Sequence, residues 1–308
     1  MKKIILFTLL FLLTGCSIYS DIGNIAVSES IFISKEDKYK VFFKILSSNE
    51  KNEEKVYTEE CESIDVCFSN LNNKLSKKLY LSHMNLLVLE DSLESFDYKD
   101  IFNFFINLKS SRNFFNVVSV NQINDNLLKQ KQEDINNITS LSIKTNGYVK
   151  NVTLYDIVND LLNIKTSYIP HFNTLQDITL TGYKKIMENE KILSKDESIS
   201  KNIINKDTSS FILSIDENIY ELKQCKEKIK VKDKVYIEIN CSYGKDENNK
   251  VMLSNYIEEM INHYINDVDN SYIKYLVYKY KNKNVDNYEY DVFVNISVKN
   301  TEGEDIFE

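Results

Sequence analysis

The sequence predicts an α+β protein of several domains, in which mixed and antiparallel sheets are packed by helices. Runs that alternate apolar and polar residues, typical of strands, and stripes with spacings of three and four, typical of helices, follow each other along the chain. The 308 residues are 43% hydrophobic and 12% aromatic, enough to bury substantial cores. Two polar stretches, 122–144 and 196–208, separate these elements into three predicted domains, 16–144, 145–207 and 208–308.

The first domain is predicted to have the element order β-β-α-β-α-β. Two strands form a hairpin, an apolar stripe from Ile64 predicts a helix, and "LYLSHMNLLVLE" then predicts a strand that contains His83. A second helix and a strand follow, and the polar stretch after them is expected to hold a helix and a loop. The predicted ranges are 25–34, 39–46, 64–79, 79–90, 98–108 and 114–121.

The remaining two thirds of the chain are predicted to hold two further helices, two hairpins and two single strands. A helical stripe at 154–162 lies before Pro170, which disfavours helix in the residue preceding it. The longest amphipathic helix is predicted at 253–268. The other predicted elements are a hairpin at 177–194, a strand at 210–215, a hairpin at 223–243 and a closing strand at 290–299.

The first sixteen residues predict export and lipidation. Two lysines precede an apolar run, Ile4 to Leu13, which has the layout of a secretory signal and is too short to span a bilayer. "LTGC" then resembles the lipobox of bacterial prolipoproteins, so residues 1–15 are predicted to be a signal peptide and Cys16 the site of a diacylglyceryl anchor. The alternative is an ordinary secretory signal followed by an incidental cysteine.

The charge of the chain argues against nucleic acid as a partner. Without residues 1–15 the chain has 36 basic residues (38 less Lys2 and Lys3) against 46 acidic ones, a net charge of −10. Such a chain repels nucleic acid and anionic lipid over long distances. We therefore predict a protein tethered outside the cytoplasm that binds no nucleic acid.

Four cysteines besides Cys16 allow two disulfides in an oxidising compartment, and none has the spacing of a zinc site: Cys61, Cys67, Cys225 and Cys241. A hairpin turn centred at Asp233 would place Cys225 directly opposite Cys241. Two observations leave free thiols open there, because Glu227 would be the one polar residue on that face and a two-residue turn would shift the register. The pair Cys61 and Cys67 is equally open to bridging or to remaining free.

No catalytic, cofactor or metal site is predicted. The three histidines, His83, His171 and His263, lie in separate segments, and no metalloprotease, phosphate-loop or nucleophile-elbow motif occurs. S-x-x-K matches at Ser48, Ser198 and Ser271 lack the companion motifs of a penicillin-recognising enzyme. Glu259 and His263 lie one helical turn apart and could share a metal, but we favour the alternative of a solvated face with a weak pair.

Three segments, in this order, resemble the Ger(x)C family, the C-subunit lipoproteins of spore germinant receptors. "GCSIYSDIGNIA" is similar to the segment that begins those lipoproteins, and "KKLYLSHMNLLVLED" places His83 on a family histidine. "LTGYKKIMENEKILSKDES" is similar to a third family segment. The matching positions in the first and third segments are Asp21, Ile22, Asn24, Ile25, Ala26, Gly182, Lys184, Leu193, Ser194 and Glu197.

The resemblance implies a three-domain lipoprotein without catalytic activity on the outer face of the spore inner membrane. It further implies assembly with the membrane-embedded A and B receptor subunits and a requirement in the response to nutrient germinants. Ser17 and Ile18 replace the family's Trp-Asp, and a Pro- and Trp-bearing segment is missing between Tyr278 and Asp291, so contacts made there in relatives are in doubt. The alternative is a solute-binding or cell-envelope lipoprotein that serves a transporter, although such proteins usually consist of repeated βαβ lobes.

Overall fold

The computed structural model describes residues 25–46, 54–108, 112–244, 247–281 and 288–298, so Cys16 and the predicted signal peptide lie outside it. Its strands are β1 (Ile25–Lys35), β2 (Tyr39–Leu46), β3 (Glu54–Cys61), β4 (Lys78–Tyr80), β5 (Leu86–Glu90), β6 (Asn116–Val120), β7 (Tyr168–Asn173), β8 (Thr179–Lys185), β9 (Lys191–Ile192), β10 (Phe211–Ile215), β11 (Asn218–Val231), β12 (Val235–Tyr243) and β13 (Tyr290–Val298). Its helices are α1 (Ile64–Lys74), α2 (Ser95–Asn107), α3 (Asp125–Lys129), α4 (Gln132–Asn146), α5 (Leu154–Leu162), α6 (Lys195–Ile204), α7 (Lys250–His263) and α8 (Ser271–Lys281). A π-helical turn, Tyr264–Val268, continues α7.

The described strands form two sheets. The first has the order β3-β2-β1-β5-β6-β7-β8-β9, with β4 added beside β1. Its central strands β1, β5, β6 and β7 are parallel, and the pairs toward both ends of this order are antiparallel. The second sheet has the order β10-β11-β12-β13, in which only the β12–β13 pair is parallel. This architecture confirms the predicted α+β class with mixed sheets.

The parallel centre of the first sheet is buried on both faces, which explains its nearly continuous apolar runs. Alternate residues of each strand belong to different cores. Phe32 and Val88 pack toward Leu127 of α3 and Ile135 of α4. The opposite face joins the larger core with α1 and α2 and includes Ile31, Ile33, Leu87, Leu89 and Val117.

One predicted strand is corrected by the structure. The run 79–90 is divided into β4 and β5, and His83 lies in the turn between them with its side chain exposed. The prediction of His83 inside an apolar strand was therefore wrong. The apolar residues on both sides of the turn, Leu81 and Met84, are buried, which is why the segment resembles one continuous strand.

Several elements were not predicted, namely β3, β7, α6 and α8, and the polar stretch 122–144 contains two helices where one was expected. Pro170 lies inside β7, where it is paired with Tyr183 of β8 and its carbonyl accepts a hydrogen bond from Ser119 Oγ (3.3 Å). Proline therefore does not end an element here. It occupies a strand position beside a register shift at His171, where irregular pairing tolerates a missing N–H donor.

The two polar stretches are folded. Helices α3 and α4 fill the first, and residue 144 lies inside α4. Strands β7 to β9 continue the sheet that β1 to β6 begin, so the sheet is not interrupted at that boundary. The second stretch contains α6, whose polar residues from Glu197 to Asn202 are buried. The division into three domains remains a prediction. None of the described helices is long and apolar enough to cross a bilayer.

Candidate functional site

The segment from Gly182 to Glu197 folds as β8, a turn, β9 and the first turn of α6. Gly182 has φ of +148°, and a Cβ there would collide with the carbonyl oxygen of Leu193 and lie 3.3 Å from Ser198 Oγ. Leu193 is only 1% exposed. A glycine is therefore required at 182 because the backbone at Leu193, immediately after β9, passes directly over it.

Ser194 and Glu197 form a capping box at the start of α6. Ser194 Oγ accepts a hydrogen bond from the Glu197 N–H (3.2 Å), and Glu197 Oε2 accepts one from the Ser194 N–H (2.7 Å). Lys191 also donates to Glu197 Oε1 (2.6 Å). Burial opposes the ionised carboxylate, but Lys191 and the capping N–H outweigh it and lower the pKa of Glu197. These contacts fix the start of a helix that is unusually rich in buried polar residues.

Lys184 is the centre of a buried ionic cluster at the junction of β5, β7 and β8. Its side chain is 6% exposed, and its Nζ lies 2.9 Å from Asp91 Oδ1 and 3.1 Å from Glu190 Oε2. The ammonium also lies 5.6 Å from the centre of the Tyr98 ring. Burial lowers the pKa of Lys184, but its interactions with Tyr98 and Asp91 outweigh burial and raise the pKa above its ordinary value. The lysine is therefore held in its charged form.

His171 lies on β7, which neighbours β8 in the sheet, and it also contacts Asp91. Its Nε2 lies 3.0 Å from Asp91 Oδ2, and its Nδ1 lies 2.5 Å from Thr181 Oγ1. Burial opposes the charge on Asp91, but His171 and Lys184 outweigh it and lower the pKa of Asp91. The connectivity of acid, imidazole and hydroxyl is that of a catalytic triad. However, Thr181 Oγ1 also donates to the carbonyl of His171 (3.0 Å), and these three residues line neither the polar cavity beside α5 and α6 nor the groove at Ile164.

A second ionic cluster lies at a polar cavity of about 190 Å³ beside α5, α6 and the start of α8. Asp207 accepts from Lys150 (2.6 Å) and lies 3.4 Å from Lys201 Nζ, which is stacked 4.2 Å from the centre of the Tyr183 ring. Asp160 faces the same cavity, and its nearest cation is Lys165 Nζ at 3.8 Å. Burial is the main cause that raises the pKa of Asp160. The cavity is therefore lined by both cationic and anionic side chains.

The structure brings the four described cysteines together in two pairs. The hairpin has the predicted register from Val231 opposite Val235 to Glu227 opposite Ile239, and a bulge follows it at Gln224, where φ is +51°. Cys225 and Cys241 face each other with Cα atoms 4.0 Å apart. Cys61 and Cys67 have Cα atoms 5.5 Å apart, because α1 begins directly after β3. Both separations are below the limit of about 7 Å beyond which two cysteines cannot be bridged.

Other predicted residues are kept apart. Glu259 is exposed, and His263 approaches Asp267 (Nδ1 to Oδ2, 2.8 Å) and Glu197 (Nε2 to Oε1, 3.4 Å) instead. The described residues contain no group of three or more His, Cys, Asp and Glu side chains arranged to hold a metal ion.

Sequence reasoning missed the role of Asp91 and the partner of His171. A signal for both was present, because Asp91 directly follows the apolar run of β5 and such positions meet at one edge of a parallel sheet. This signal could be used only if β7 had been predicted as a strand.

The protein has an α+β fold, and the charged side chains of its two ionic clusters form ion pairs with other segments of the same chain. A family model described as "Spore germination protein N-terminal domain" matches residues 19–174, just over half of the chain. The chain therefore belongs to this family of spore germination proteins, and the resemblance to the Ger(x)C family is confirmed. The match extends from before β1 to the end of β7, so it includes Asp91 and His171 but not Lys184. No curated protein and no solved structure matches the chain.

Proposed function

We propose that this protein is a non-catalytic, lipid-anchored subunit of a spore germinant receptor. A diacylglyceryl group on Cys16 holds it at the outer face of the spore inner membrane, where it assembles with the A and B membrane subunits and is needed for germination in response to nutrients. The observation that carries the proposal is the family match over residues 19–174. Two acyl chains provide stable attachment to a bilayer, whereas one chain is marginal.

The way the polar residues are used supports a scaffold. The arrangement most similar to a catalytic site, Asp91 with His171 and Thr181, is occupied by contacts among β5, β7 and β8. A scaffold acts through its surface, so its activity depends on folding and anchoring more than on one polar side chain.

The cysteine pairs support a location outside the cytoplasm. We propose that Cys61–Cys67 and Cys225–Cys241 are disulfides in the exported protein, because structural disulfides persist in oxidising compartments. Alkylation of the denatured protein without reduction should then modify none of these four cysteines, and alkylation after reduction should modify all of them. Modification without reduction would contradict the assignment.

The function is tested in spores that lack this gene and have no paralogous receptor. These spores should fail to respond to nutrients but should germinate normally with an agent that bypasses the receptors. Complementation by the wild-type gene should restore the response. Cys16→Ala should release the protein from membranes and abolish the response. A full nutrient response in the deletion strain would refute the proposed function.

Two neighbouring substitutions separate folding from local chemistry. Met260 is 8% exposed in the core beneath α7, so Met260→Asp buries an unpaired charge and should abolish the response by unfolding that region. Glu259 is exposed on the same helix, and Glu259→Ala should leave most of the response intact. His83→Ala, in an exposed turn, should behave like Glu259→Ala.

A further inference from the structure

The edge of the first sheet at which β1, β5, β6 and β7 begin has an unusual surface. These four strands are parallel, so their first residues lie at the same edge, which we call the N-terminal edge. Helix α5 lies along this edge, because it begins beside the start of β6 and ends shortly before β7. The N–H of Leu154 donates to the Phe115 carbonyl (3.1 Å), and that of Tyr155 donates to the Asn113 carbonyl (2.9 Å).

Five large apolar or aromatic side chains are exposed there, and together we call them the edge patch. They are Phe114 (69% exposed), Tyr155 (54%), Leu161 (40%), Leu162 (79%) and Ile164 (82%). The rings of Phe114 and Tyr155 stack with their centres 5.4 Å apart. Tyr155 and Leu162 are seven residues apart and therefore share one face of α5. Exposed apolar groups that cluster in this way mark a contact with a partner or a membrane.

Ile164 adds a second, independent observation. Its φ is +57°, and the N–H of Lys165 donates to the Asp160 carbonyl (2.9 Å), which is the hydrogen bond of a Schellman ending. Glycine usually occupies this left-handed position, and a β-branched side chain there strains the backbone. An almost fully exposed side chain gains little from the fold in return. A contact outside the chain explains why a large apolar group stands at this position.

The surface beside the edge patch is basic, although the exported chain is acidic. A groove that includes Ile164 is lined by four lysines, Lys99, Lys165, Lys185 and Lys274, and by two acids, Glu188 and Asp269. Tyr278, which is 50% exposed, lines the same groove. Lysines and aromatic rings around exposed aliphatic side chains are the composition of surfaces that lie at the boundary of a bilayer.

The position of the start of β1 indicates which partner faces this edge. Strand β1 begins at Ile25, so the N-terminal edge is where the chain from Cys16 enters the fold. The nine residues 16–24 reach at most about 30 Å when fully extended. Ser30 of β1, which pairs with the first residue of β5, is three strand spacings, about 15 Å, from the start of β7, and Ile25 lies five residues farther out along β1. If Cys16 is anchored, the edge patch lies within reach of the bilayer.

We propose that the edge patch inserts into the headgroup region of the bilayer that holds the anchor, with the adjacent lysines on anionic lipid headgroups. The proposal rests on the lipid anchor of the proposed function. It fixes the orientation of the protein, with the N-terminal edge of the first sheet toward the membrane and the opposite edge toward solvent.

The chain contains no tryptophan, so a single introduced tryptophan reports its own surroundings. Leu162→Trp places it in the edge patch. The matched control, Leu175→Trp, replaces a side chain that is 64% exposed just beyond the opposite end of β7. Each lipidated full-length protein is reconstituted into vesicles of phosphatidylcholine and phosphatidylglycerol with brominated acyl chains.

The expected result is a blue-shifted emission for the tryptophan at 162, quenched several-fold more by the brominated lipid than the tryptophan at 175. Equal quenching at the two positions, or none at either while the protein floats with the vesicles, would overturn the proposal. A protein that does not float with the vesicles would refute the anchor instead. The second experiment tests the patch without the anchor.

The second experiment measures how much of the exported chain sediments with phosphatidylglycerol vesicles. The chain carries Cys16→Ala, so that it has no lipid anchor. Replacing both Leu162 and Ile164 with Asp should weaken binding at least about tenfold, because two aliphatic side chains lose their burial in lipid. Vesicles of phosphatidylcholine alone should bind more weakly than anionic ones.

Ile164→Gly distinguishes a surface role from a structural one, since it should fold at least as stably as the wild type and still bind vesicles less. Unchanged vesicle binding by both the double variant and Ile164→Gly would overturn the proposal. Concentration-dependent self-association that Leu162→Asp abolishes, without binding to vesicles, would assign the patch to a second copy of the chain and would also overturn it.

Discussion

Two buried lysines, Lys184 and Lys201, solve the same physical problem in different ways. Both residues are almost completely buried, at 5% and 4% exposure, and both lie under tyrosine rings. Lys184 has two carboxylates, at 2.9 Å and 3.1 Å. Lys201 has one, at 3.4 Å, and borders a polar cavity of about 190 Å³. The comparison shows that burial of a lysine alone does not indicate how strongly its region depends on an ion pair.

The two clusters differ in what replaces the water that each lysine ammonium loses when it is buried. Lys184 is held by Asp91, Glu190 and the Tyr98 ring and does not line the polar cavity, so loss of one carboxylate leaves a buried charge without water from that cavity. Lys201 adjoins a cavity that is large enough to admit water molecules, which can replace a lost carboxylate. We therefore expect the Lys184 cluster to be much more sensitive to substitution than the Lys201 cluster.

The largest effect is expected from Asp91→Ala. This substitution leaves Lys184 with one carboxylate, that of Glu190, and removes the partner of His171 Nε2. Breaking a buried pair by removal of one partner typically costs about 3–5 kcal/mol of unfolding free energy. Urea denaturation measures the loss. A loss below about 1 kcal/mol would show that the cluster is hydrated and would break the comparison.

Asp207→Ala is the matched substitution in the second cluster, and its cost should be smaller, about 1–2 kcal/mol. The side chain of Lys150 is 35% exposed and can return to water, while Lys201 keeps the Tyr183 ring and the cavity. The same urea experiment gives the value. A cost equal to that of Asp91→Ala would mean that the cavity does not compensate for a lost carboxylate.

Replacing each lysine by methionine, which has a similar volume, sharpens the comparison. Lys184→Met leaves the carboxylates of Asp91 and Glu190 without their shared cation, so it should cost about 1–3 kcal/mol. Lys201→Met removes a buried charge that has one carboxylate partner, at 3.4 Å, and its stability should be within about 1 kcal/mol of the wild type. The difference between the two midpoints of thermal unfolding is the measurement, and the reverse order would contradict our interpretation.

The smallest effect is expected for the pH dependence of stability. The pKa of Asp91 is lowered in the fold, so its stabilisation is complete above the ordinary pKa of about 3.9 and is lost as the pH falls through the lower folded value. The pKa of Asp160 is raised, so its ionised form reduces stability at neutral pH, and that cost disappears as the pH falls through the folded pKa toward about 3.9.

Asp160→Asn should therefore stabilise the protein slightly at pH 7 and leave its stability unchanged near pH 4. Asp91→Asn should destabilise it at pH 7, and the difference from the wild type should close only below pH 4. Stability curves from urea denaturation between pH 3 and pH 8 test both statements. Parallel pH profiles for the two variants would contradict the opposite pKa directions.

The sequence was most informative where a local pattern is sufficient. Alternation in β1 and β2 predicted their hairpin, and the register of β11 and β12 followed from the turn at Asp233, as far as the bulge at Gln224. Ser194 and Glu197 have the three-residue spacing of a capping box, but this signal was not used to predict a helix there. Polar composition misled the prediction at α6, where Ser198, Ser200 and Lys201 are buried against other parts of the chain.

By itself, the sequence determined the α+β class, the order of most elements and the family resemblance, whereas lipid attachment at Cys16 stays a prediction. Only the tertiary structure decided that β7 lies between β6 and β8, and this placement brings His171 and Lys184 to Asp91. It also placed α5 along the edge where β1 begins. The reason is that periodicity and capping act over a few residues, whereas these contacts join positions 80 and 93 residues apart. Such contacts depend on the order of strands in the sheet.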